Sequence, residues 1–301
     1  MADPDWLTDF LRAEALPSAY AQAVATVIAP LAERIAEAAR AHGPGFVLGL
    51  CGAQGSGKST ASAVVAHLLD ADGLRVATLS LDDLYLPLEA REQLARDVHP
   101  LFRTRGPPGT HDVALGLSVL AGLATSAPTL IPRFDKATDT RAGRSRWTRF
   151  DGPADVILFE GWCVGAAPQD QAALVQPVND LERTRDPDGA WRGAVNAALA
   201  GPYQALFAKL DRLVLMRAPS FEVVAGWRRE QEQKLRARLA AAGQGTQRTL
   251  TDHEIATFVA HYERLTRHIL AEMPARADAV IPLAADRTPG PVVWSDRFPQ
   301  R

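Results

Sequence analysis

The sequence predicts an α/β fold, and three observations carry the prediction. Residues 46–51 (Phe-Val-Leu-Gly-Leu-Cys) form a short apolar run that enters a glycine-rich turn. Residues 60–70 then have helical periodicity, with Val64, Val65, Leu68 and Leu69 on one face. Further apolar runs recur at 75–81, 154–161, 212–217 and 279–283, separated by stretches with helical patterning, and two of them end in acidic residues, Asp82-Asp83 and Glu160. Strand and helix in alternation is the signature of the α/β class.

Composition bounds the rest. The chain has 301 residues and is 47% hydrophobic, enough for one large α/β domain or two small ones with a sizeable core. Its formal net charge of −2 carries no basic bias and gives no support to nucleic acid as a partner. The two cysteines, Cys51 and Cys163, lie far apart and outside any metal-ligand spacing, which suits a reducing compartment. Residues 1–6 show no basic or apolar leader pattern, and no apolar run approaches the roughly 20 residues of a membrane span. A cytoplasmic protein with no membrane partner is expected; oligomeric state is not legible.

Taken in order, residues 5–14 and 17–42 read as helices, the longer one broken near Pro30 and striped by Val24, Ile28, Leu31, Ile35 and Ala38. Residues 1–44 are expected to be a helical extension packed on a core domain of residues 45–301.

Between the first strand and its helix lies Gly52-Ala53-Gln54-Gly55-Ser56-Gly57-Lys58-Ser59, followed by Thr60. This fits G-x-x-x-x-G-K-[ST], with a strand before it and a helix after it, as that motif requires. Glycines let successive N–H groups converge on an anion, Lys58 can reach β- and γ-phosphates, and the Ser59 hydroxyl can ligate Mg²⁺. The helix that begins here adds its positive dipole end. Nucleoside triphosphate with Mg²⁺ is the expected cofactor.

The second strand ends in Asp82-Asp83-Leu84-Tyr85, 24 residues after Lys58, where open α/β sheets place their ligands. A carboxylate here can take a proton from a substrate hydroxyl or hold metal; equally, it can cap a turn. Residues 99–112 read as a loop from their proline and glycine content, carrying Arg103, Arg105, His111 and Asp112. His111 can touch substrate, while Asp112 reads first as the N-cap of a helix at 113–124.

A short strand at 129–132 leads into 133–149, where six cationic side chains fall within seventeen residues. Arg133, Lys136, Arg141, Arg144 and Arg146 are among them, in a segment that reads as a lid closing over transferred phosphate. The run 154–161 ends in Glu160, placed to orient water or Mg²⁺ beside Ser59. Residues 164–194 read as loop-rich, and 194–209 as a helix. Strands at 212–217 and 279–283 bracket helices at 221–241 and 251–273, the second opened by the capping-box spacing of Thr251 and Glu254. Asp286-Arg287 follow the last strand, at a sheet end where a base can stack.

In combination these motifs resemble the plant- and fungal-type D-glycerate 3-kinases and their bacterial relatives. The resemblance rests on the phosphate loop, Leu-Asp82-Asp83-Leu-Tyr, Arg105-Gly-Pro-Pro-Gly-Thr-His111-Asp112, Pro132-Arg-Phe-Asp-Lys136 and Phe-Glu160-Gly-Trp162. Asp186-Pro-Asp-Gly-Ala-Trp191-Arg, Trp227-Arg-Arg-Glu-Gln-Glu and Thr251-Asp-His-Glu extend it over roughly residues 40–285. The wider group includes phosphoribulokinase, uridine kinase and bacterial pantothenate kinase.

The resemblance implies a three-layer P-loop NTPase fold, a parallel five-stranded sheet flanked by helices. It also implies an ATP- and Mg²⁺-dependent kinase acting on a small molecule, glycerate first. The first aspartate of an Asp-x-Phe-Tyr motif is the group's usual base; here that position is Asp82, with Leu84 in place of the aromatic and Asp83 open as the alternative. On this reading Mg²⁺ is held by Ser59 and, through water, by Glu160 or Asp82. Arg105, Arg133 and Lys136 are candidates for a glycerate carboxylate, and Arg141, Arg144 and Arg146 for phosphate. Another small acceptor (nucleoside, sugar phosphate or pantothenate), or a nucleotide-gated ATPase without any, is the competing expectation.

Overall fold

The structure, a computed structural model, describes residues 4–241 and 251–298; Met1, Ala2 and Asp3, part of the stretch read for a leader, lie outside the described residues. At its centre is a six-stranded sheet whose strands lie, edge to edge, in the order Val293–Trp294, Ala279–Pro282, Arg212–Arg217, Phe46–Gly52, Val156–Gly161 and Val76–Ser80. Here β1 is Phe46–Gly52, β2 Val76–Ser80, β7 Val156–Gly161, β8 Arg212–Arg217, β9 Ala279–Pro282 and β10 Val293–Trp294. The five expected strands all run parallel. The sixth, β10, is an antiparallel edge strand of two residues that the sequence pattern did not separate from the tail.

Every residue of β1 and β7 is buried, as expected for central strands covered on both faces. Successive residues of β1 serve opposite layers. Phe46, Leu48 and Leu50 pack with Val64 and Val65 of the helix Lys58–Ala71 and with Leu31 and Ile35 of the helix Ala29–His42. Val47 and Cys51 pack on the other side with Leu120 and Leu123 of the helix Val113–Leu123 and with Leu206 and Phe207. Each such aliphatic side chain contributes about 1.5–3 kcal/mol on burial. The N-terminal helices therefore supply one wall of the same core as the strands.

The helix Asp252–Glu272 contributes to both layers, with Ile255 and Val259 in one and Leu265 and Ile269 in the other. Its capping box is formed as the sequence indicates, with Glu254 N–H donating to Thr251 Oγ1 and Thr251 N–H donating to the Glu254 carboxylate.

Several local expectations are corrected. The helix ending at His42 is not broken at Pro30; instead a π-helical turn, Val24–Ile28, precedes it. Pro30 has no N–H to donate, and widening the preceding turn accommodates that loss. Residues 100–103 form a 3-10 turn within the expected loop. The loop-rich stretch 164–194 contains the helix Asp180–Arg185 and the start of Ala190–Ala198, and the helix expected at 194–209 is interrupted at Leu199–Tyr203 around Pro202.

Strand register fixes the position of the candidate site. Glu160 pairs with Leu50 on one side and Ser80 on the other. The chain continuing from β1 into 52–59 and the chain continuing from β2 into 81–84 therefore both leave the sheet beside Glu160.

Candidate active site

The phosphate loop takes the conformation its glycines permit. Gly55 and Gly57 have φ of 77° and 86°, a left-handed region that glycine enters without the steric penalty of a Cβ. No side chain caps the helix Lys58–Ala71, and its first turn holds no acid. Its N–H groups and positive dipole end are thus left to an anion. The loop is braced from outside: a Cβ on Gly55 would stand 2.7 Å from Trp227 Cβ. Trp227 is itself held by its Nε1–H donating to Ala285 O at 2.7 Å.

Beside the loop, Ser59 Oγ donates to Glu160 Oε1 at 3.2 Å. Glu160 is buried, and its Oε2 is a buried acceptor without a partner. A buried carboxylate oxygen left bare is costly unless something occupies it. A hydroxyl and a carboxylate are hard oxygen donors suited to Mg²⁺, which takes few protein ligands and keeps water and substrate phosphate in the rest of its shell. Among the described residues, no group of three or more His, Cys, Asp or Glu side chains able to hold a metal occurs. The donor set fits the cation.

Asp82 and Asp83 lie on the 3-10 turn Leu81–Leu84 directly after β2, entered by Ser80, whose hydroxyl accepts from Asp82 N–H. The two carboxylates have different surroundings. Asp82 Oδ1 accepts from the Tyr85 hydroxyl at 3.0 Å and Oδ2 from Lys136 Nζ at 2.8 Å. Burial opposes the charge of Asp82, but Lys136, Lys58 and these hydrogen bonds outweigh it and hold the carboxyl well below the usual range. Asp83 instead accepts from Phe134 N–H at 2.9 Å and Arg133 Nη1 at 2.8 Å. Its burial outweighs those bonds and pushes its pKa upward. Asp82 thus faces the phosphate-loop lysine electrostatically, while Asp83 anchors the base of the cationic segment.

That segment is a folded arch. It contains a small hairpin of β4 (Phe134–Asp135) and β5 (Thr140–Arg141). Its two ends are joined where β3 (Thr129–Ile131) pairs with β6 (Thr148–Phe150). The short strand expected at 129–132 therefore belongs to this arch and not to the main sheet. Most of the expected substrate cations are paired with acids: Lys136 with Asp82, Arg133 with Asp83, Arg105 with Asp139, Arg141 with Asp112 and Arg146 with Asp135. Arg144 lies over the Trp147 ring, 5.5 Å from its centroid. Asp112 also N-caps the helix Val113–Leu123, accepting from Leu115 N–H at 3.0 Å, as the sequence indicated.

Arg105 and His111 are brought to the same place by backbone pairing. Leu86 N–H donates to Thr110 O at 2.9 Å and Asp112 N–H to Leu84 O at 2.7 Å, so the 109–112 loop runs antiparallel against the turn that carries Asp82. At Gly106, with φ of 131°, a Cβ would run into the Tyr262 hydroxyl. That hydroxyl donates to Arg105 O at 2.9 Å.

Lys58, Ser59, Asp82, Glu160 and the arch lie around one sheet end, and three supports carry no signal in the sequence. Tyr85 belongs to the Leu-Asp82-Asp83-Leu-Tyr motif, yet nothing in the sequence marks its hydroxyl as a donor to Asp82. Trp227 likewise carries no sequence signal for its packing on the phosphate loop. Arg91 had no signal at all, since an arginine in a charged helix reads as solvated. It is 0% exposed and donates to Leu86 O, Arg103 O and Asp139 O, with its guanidinium 2.9 Å from the Asp139 carboxylate. The Asp286-Arg287 pair is occupied structurally, with Arg287 bound to Glu230 and lying 5.9 Å from the Trp227 ring centroid. A pocket among Pro107, Trp162, Trp191 and His261 shares no residue with this cluster.

No protein-family model matches the chain. It is 34% identical over 232 residues to an uncharacterized kinase, mug58, of Schizosaccharomyces pombe, covering 73% of this chain and 79% of that protein. It is 30% identical over 260 residues to the chloroplastic D-glycerate 3-kinase of Arabidopsis thaliana, covering 81% of this chain but spanning only about half, 52%, of that enzyme. Among solved structures, a D-glycerate 3-kinase from Cryptococcus neoformans superposes with a TM-score of 0.73 at 23% identity, over 89% of this chain and 97% of that one. At that identity the superposition establishes a shared fold.

Proposed function

Because the chain belongs to the kinase family that contains fission-yeast mug58 and the plant D-glycerate 3-kinase, we propose that it transfers the γ-phosphoryl group of ATP to the C3 hydroxyl of D-glycerate. It is an ATP-dependent kinase with a small-molecule substrate. The observation that supports transfer to an alcohol is Asp82 standing between Lys136 of the cationic arch and the field of the phosphate-loop Lys58; glycerate as that alcohol is supported by the likeness to the plant D-glycerate 3-kinase.

In this reading the 52–60 loop binds the triphosphate through backbone N–H groups and Lys58. Ser59 and Glu160 would hold Mg²⁺, which would supply charge neutralisation to the phosphates when bound. Asp82 orients the acceptor hydroxyl and takes its proton. Phosphoryl transfer is governed mainly by positioning and charge stabilisation, so a weakly basic carboxylate suffices if it is well aimed. Asp82 is preferred over Asp83 because its charge is favoured by Lys58 and by Lys136, an exposed partner on Oδ2, whereas Asp83 is tied to the backbone N–H of Phe134 and burial pushes its pKa upward.

The glycerate carboxylate needs cations. Lys136, Arg105 and Arg133 are the proposed set, released from Asp82, Asp139 and Asp83 as substrate arrives. Arg is suited to a carboxylate because it can bind both oxygens. Arg141, Arg144 and Arg146 belong to the lid, which excludes water that would otherwise take the phosphate. His111 completes the acceptor end. Residues 45–301 act as the kinase domain, with 1–44 as its packed extension. No helix among the described residues is long and apolar enough to cross a membrane, and the proposal places the enzyme in the cytoplasm without a nucleic-acid partner.

An acceptor panel tests the reading. ADP release with D-glycerate, L-glycerate, a nucleoside, a pentose phosphate and pantothenate should be fastest with D-glycerate. Release that no acceptor accelerates would instead mark an ATPase.

A further inference from the structure

His111 sits at the acceptor end of the site and carries a buried polar atom that the proposed mechanism leaves unused. The residue is 5% exposed. Its ring stacks on Tyr85, with centroids 4.5 Å apart and planes inclined by 24°. Tyr85 in turn donates its hydroxyl to Asp82. His111 Nδ1 lies 2.6 Å from the Tyr203 hydroxyl, and His111 Nε2 is buried without a partner.

The tautomer follows from counting donors. The Tyr203 oxygen already accepts from Gly109 N–H at 2.9 Å. Tyr203 is fully buried, so its own O–H needs an acceptor, and His111 Nδ1 is within reach. If Nδ1 takes that proton as acceptor, the ring proton resides on Nε2. The opposite assignment strands the Tyr203 O–H and leaves Nε2 as a bare lone pair, orphaning two buried groups where the first orphans one. Burial also pushes the His111 pKa down to about 3, with Asp82 opposing that shift. The ring is therefore neutral and does not compete with Lys58 and Lys136 for the Asp82 charge.

We propose that Tyr203 is a positioning residue that fixes His111 as its Nε2–H tautomer, and that this N–H donates to an oxygen of the phosphoryl acceptor beside Asp82. The inference rests on the kinase reading above and adds a rule for the acceptor: it must present a lone pair, such as a carboxylate or hydroxyl oxygen, to a neutral donor. Tyr203 lies 92 residues from His111 in sequence, and its role in this proposal is exerted through the imidazole.

The first test is ¹⁵N NMR of histidine-labelled full-length protein. The account expects a protonated Nε2 and an unprotonated Nδ1 for His111, with the Nε2–H proton shifting when the acceptor is added. An Nδ1–H tautomer overturns it, whatever the acceptor proves to be. The second test is steady-state kinetics. Tyr203→Phe and His111→Ala should each raise the acceptor KM about tenfold, the worth of one hydrogen bond to a substrate oxygen, with the ATP KM unchanged. His111→Gln offers an amide donor near the Nε2 position and needs no tautomer. It should restore the acceptor KM to within about threefold of wild type, and adding Tyr203→Phe to it should change nothing more. A Tyr203→Phe effect of equal size in both backgrounds, or one falling equally on both KM values, makes Tyr203 merely structural and overturns the proposal. Failure of the wild type to phosphorylate D-glycerate removes that acceptor alone; the same series then runs on the acceptor that the panel identifies.

Discussion

Lys136 Nζ stands 2.8 Å from Asp82 Oδ2, so a cation proposed to receive the acceptor's carboxylate closes on the carboxylate proposed to receive its proton. Lys136 is 64% exposed at the side chain, so an ion pair and little packing hold it in place. Substrate that draws Lys136 away strips Asp82 of its largest attractive counter-charge and makes it a stronger base at the moment it is needed.

Substituting Asp82→Asn should leave ATP affinity intact and lower kcat by about 10²–10⁴, the usual worth of a general base. Asp83→Asn should behave differently, leaving Arg133 and Phe134 N–H without their charged acceptor and loosening the arch. Its effect should appear mainly as a raised acceptor KM and a stability loss of about 1–3 kcal/mol. Titrating both variants with ATP and acceptor separates the roles, and near-normal kcat in Asp82→Asn would transfer the base to Asp83.

The depressed Asp82 pKa has a signed consequence for activity and stability. Its folded-state value lies below the unfolded one, so its contribution to stability is complete above the ordinary carboxylate range and is lost as pH falls through the folded value. In wild type the acid limb of kcat/KM attributable to Asp82 therefore lies below that range. Removing the counter-charge with Lys136→Met should move this limb to higher pH. A pH–rate profile that does not move would show that Lys136 does not set the Asp82 charge.

Glu160→Gln keeps the shape of the side chain but removes the charge beside Ser59. The free Mg²⁺ concentration that half-saturates turnover should rise about 10–100-fold, as expected when a group that supports a metal is altered. Unchanged Mg²⁺ dependence would leave the orphaned Oε2 without this explanation.

How much was legible depended on whether a residue's role is local. The strand ends at Gly52, Asp82 and Glu160 could be read because apolar runs ending in glycine or acid mark the C-terminal ends of parallel strands, whereas the order of those strands in the sheet could not. The Thr251–Glu254 box could be read because its two hydrogen bonds span three residues. Arg91 could not, because its partners Arg103 and Asp139 lie 12 and 48 residues away and only the folded chain brings their carbonyls together. The pairing of each arch cation with its own acid was invisible for the same reason. The sequence records that Arg105 and Asp139 exist, and only the hairpin of β4 and β5 sets them against each other.

Arg91 accordingly offers a stability test that is independent of chemistry. Arg91→Met should cost about 2–3 kcal/mol, since it removes a fully buried guanidinium and orphans three carbonyls and part of the Asp139 carboxylate. Urea denaturation measures this. The acceptor KM should rise as Arg105 loses its fixed neighbour, while ATP affinity holds. A loss smaller than about 0.5 kcal/mol would place Arg91 among ordinary surface substitutions and contradict its bracing role.

The central claim is that the 52–60 loop and Asp82 together pass the terminal phosphate of ATP to a small alcohol. Its most direct test incubates the protein with ATP, Mg²⁺ and ¹³C-labelled D-glycerate and follows carbon–phosphorus coupling by NMR. The account predicts phosphate on the C3 oxygen, formed in step with ADP and absent with Lys58→Ala. ADP released with inorganic phosphate alone, or product that forms undiminished without Lys58, would contradict it.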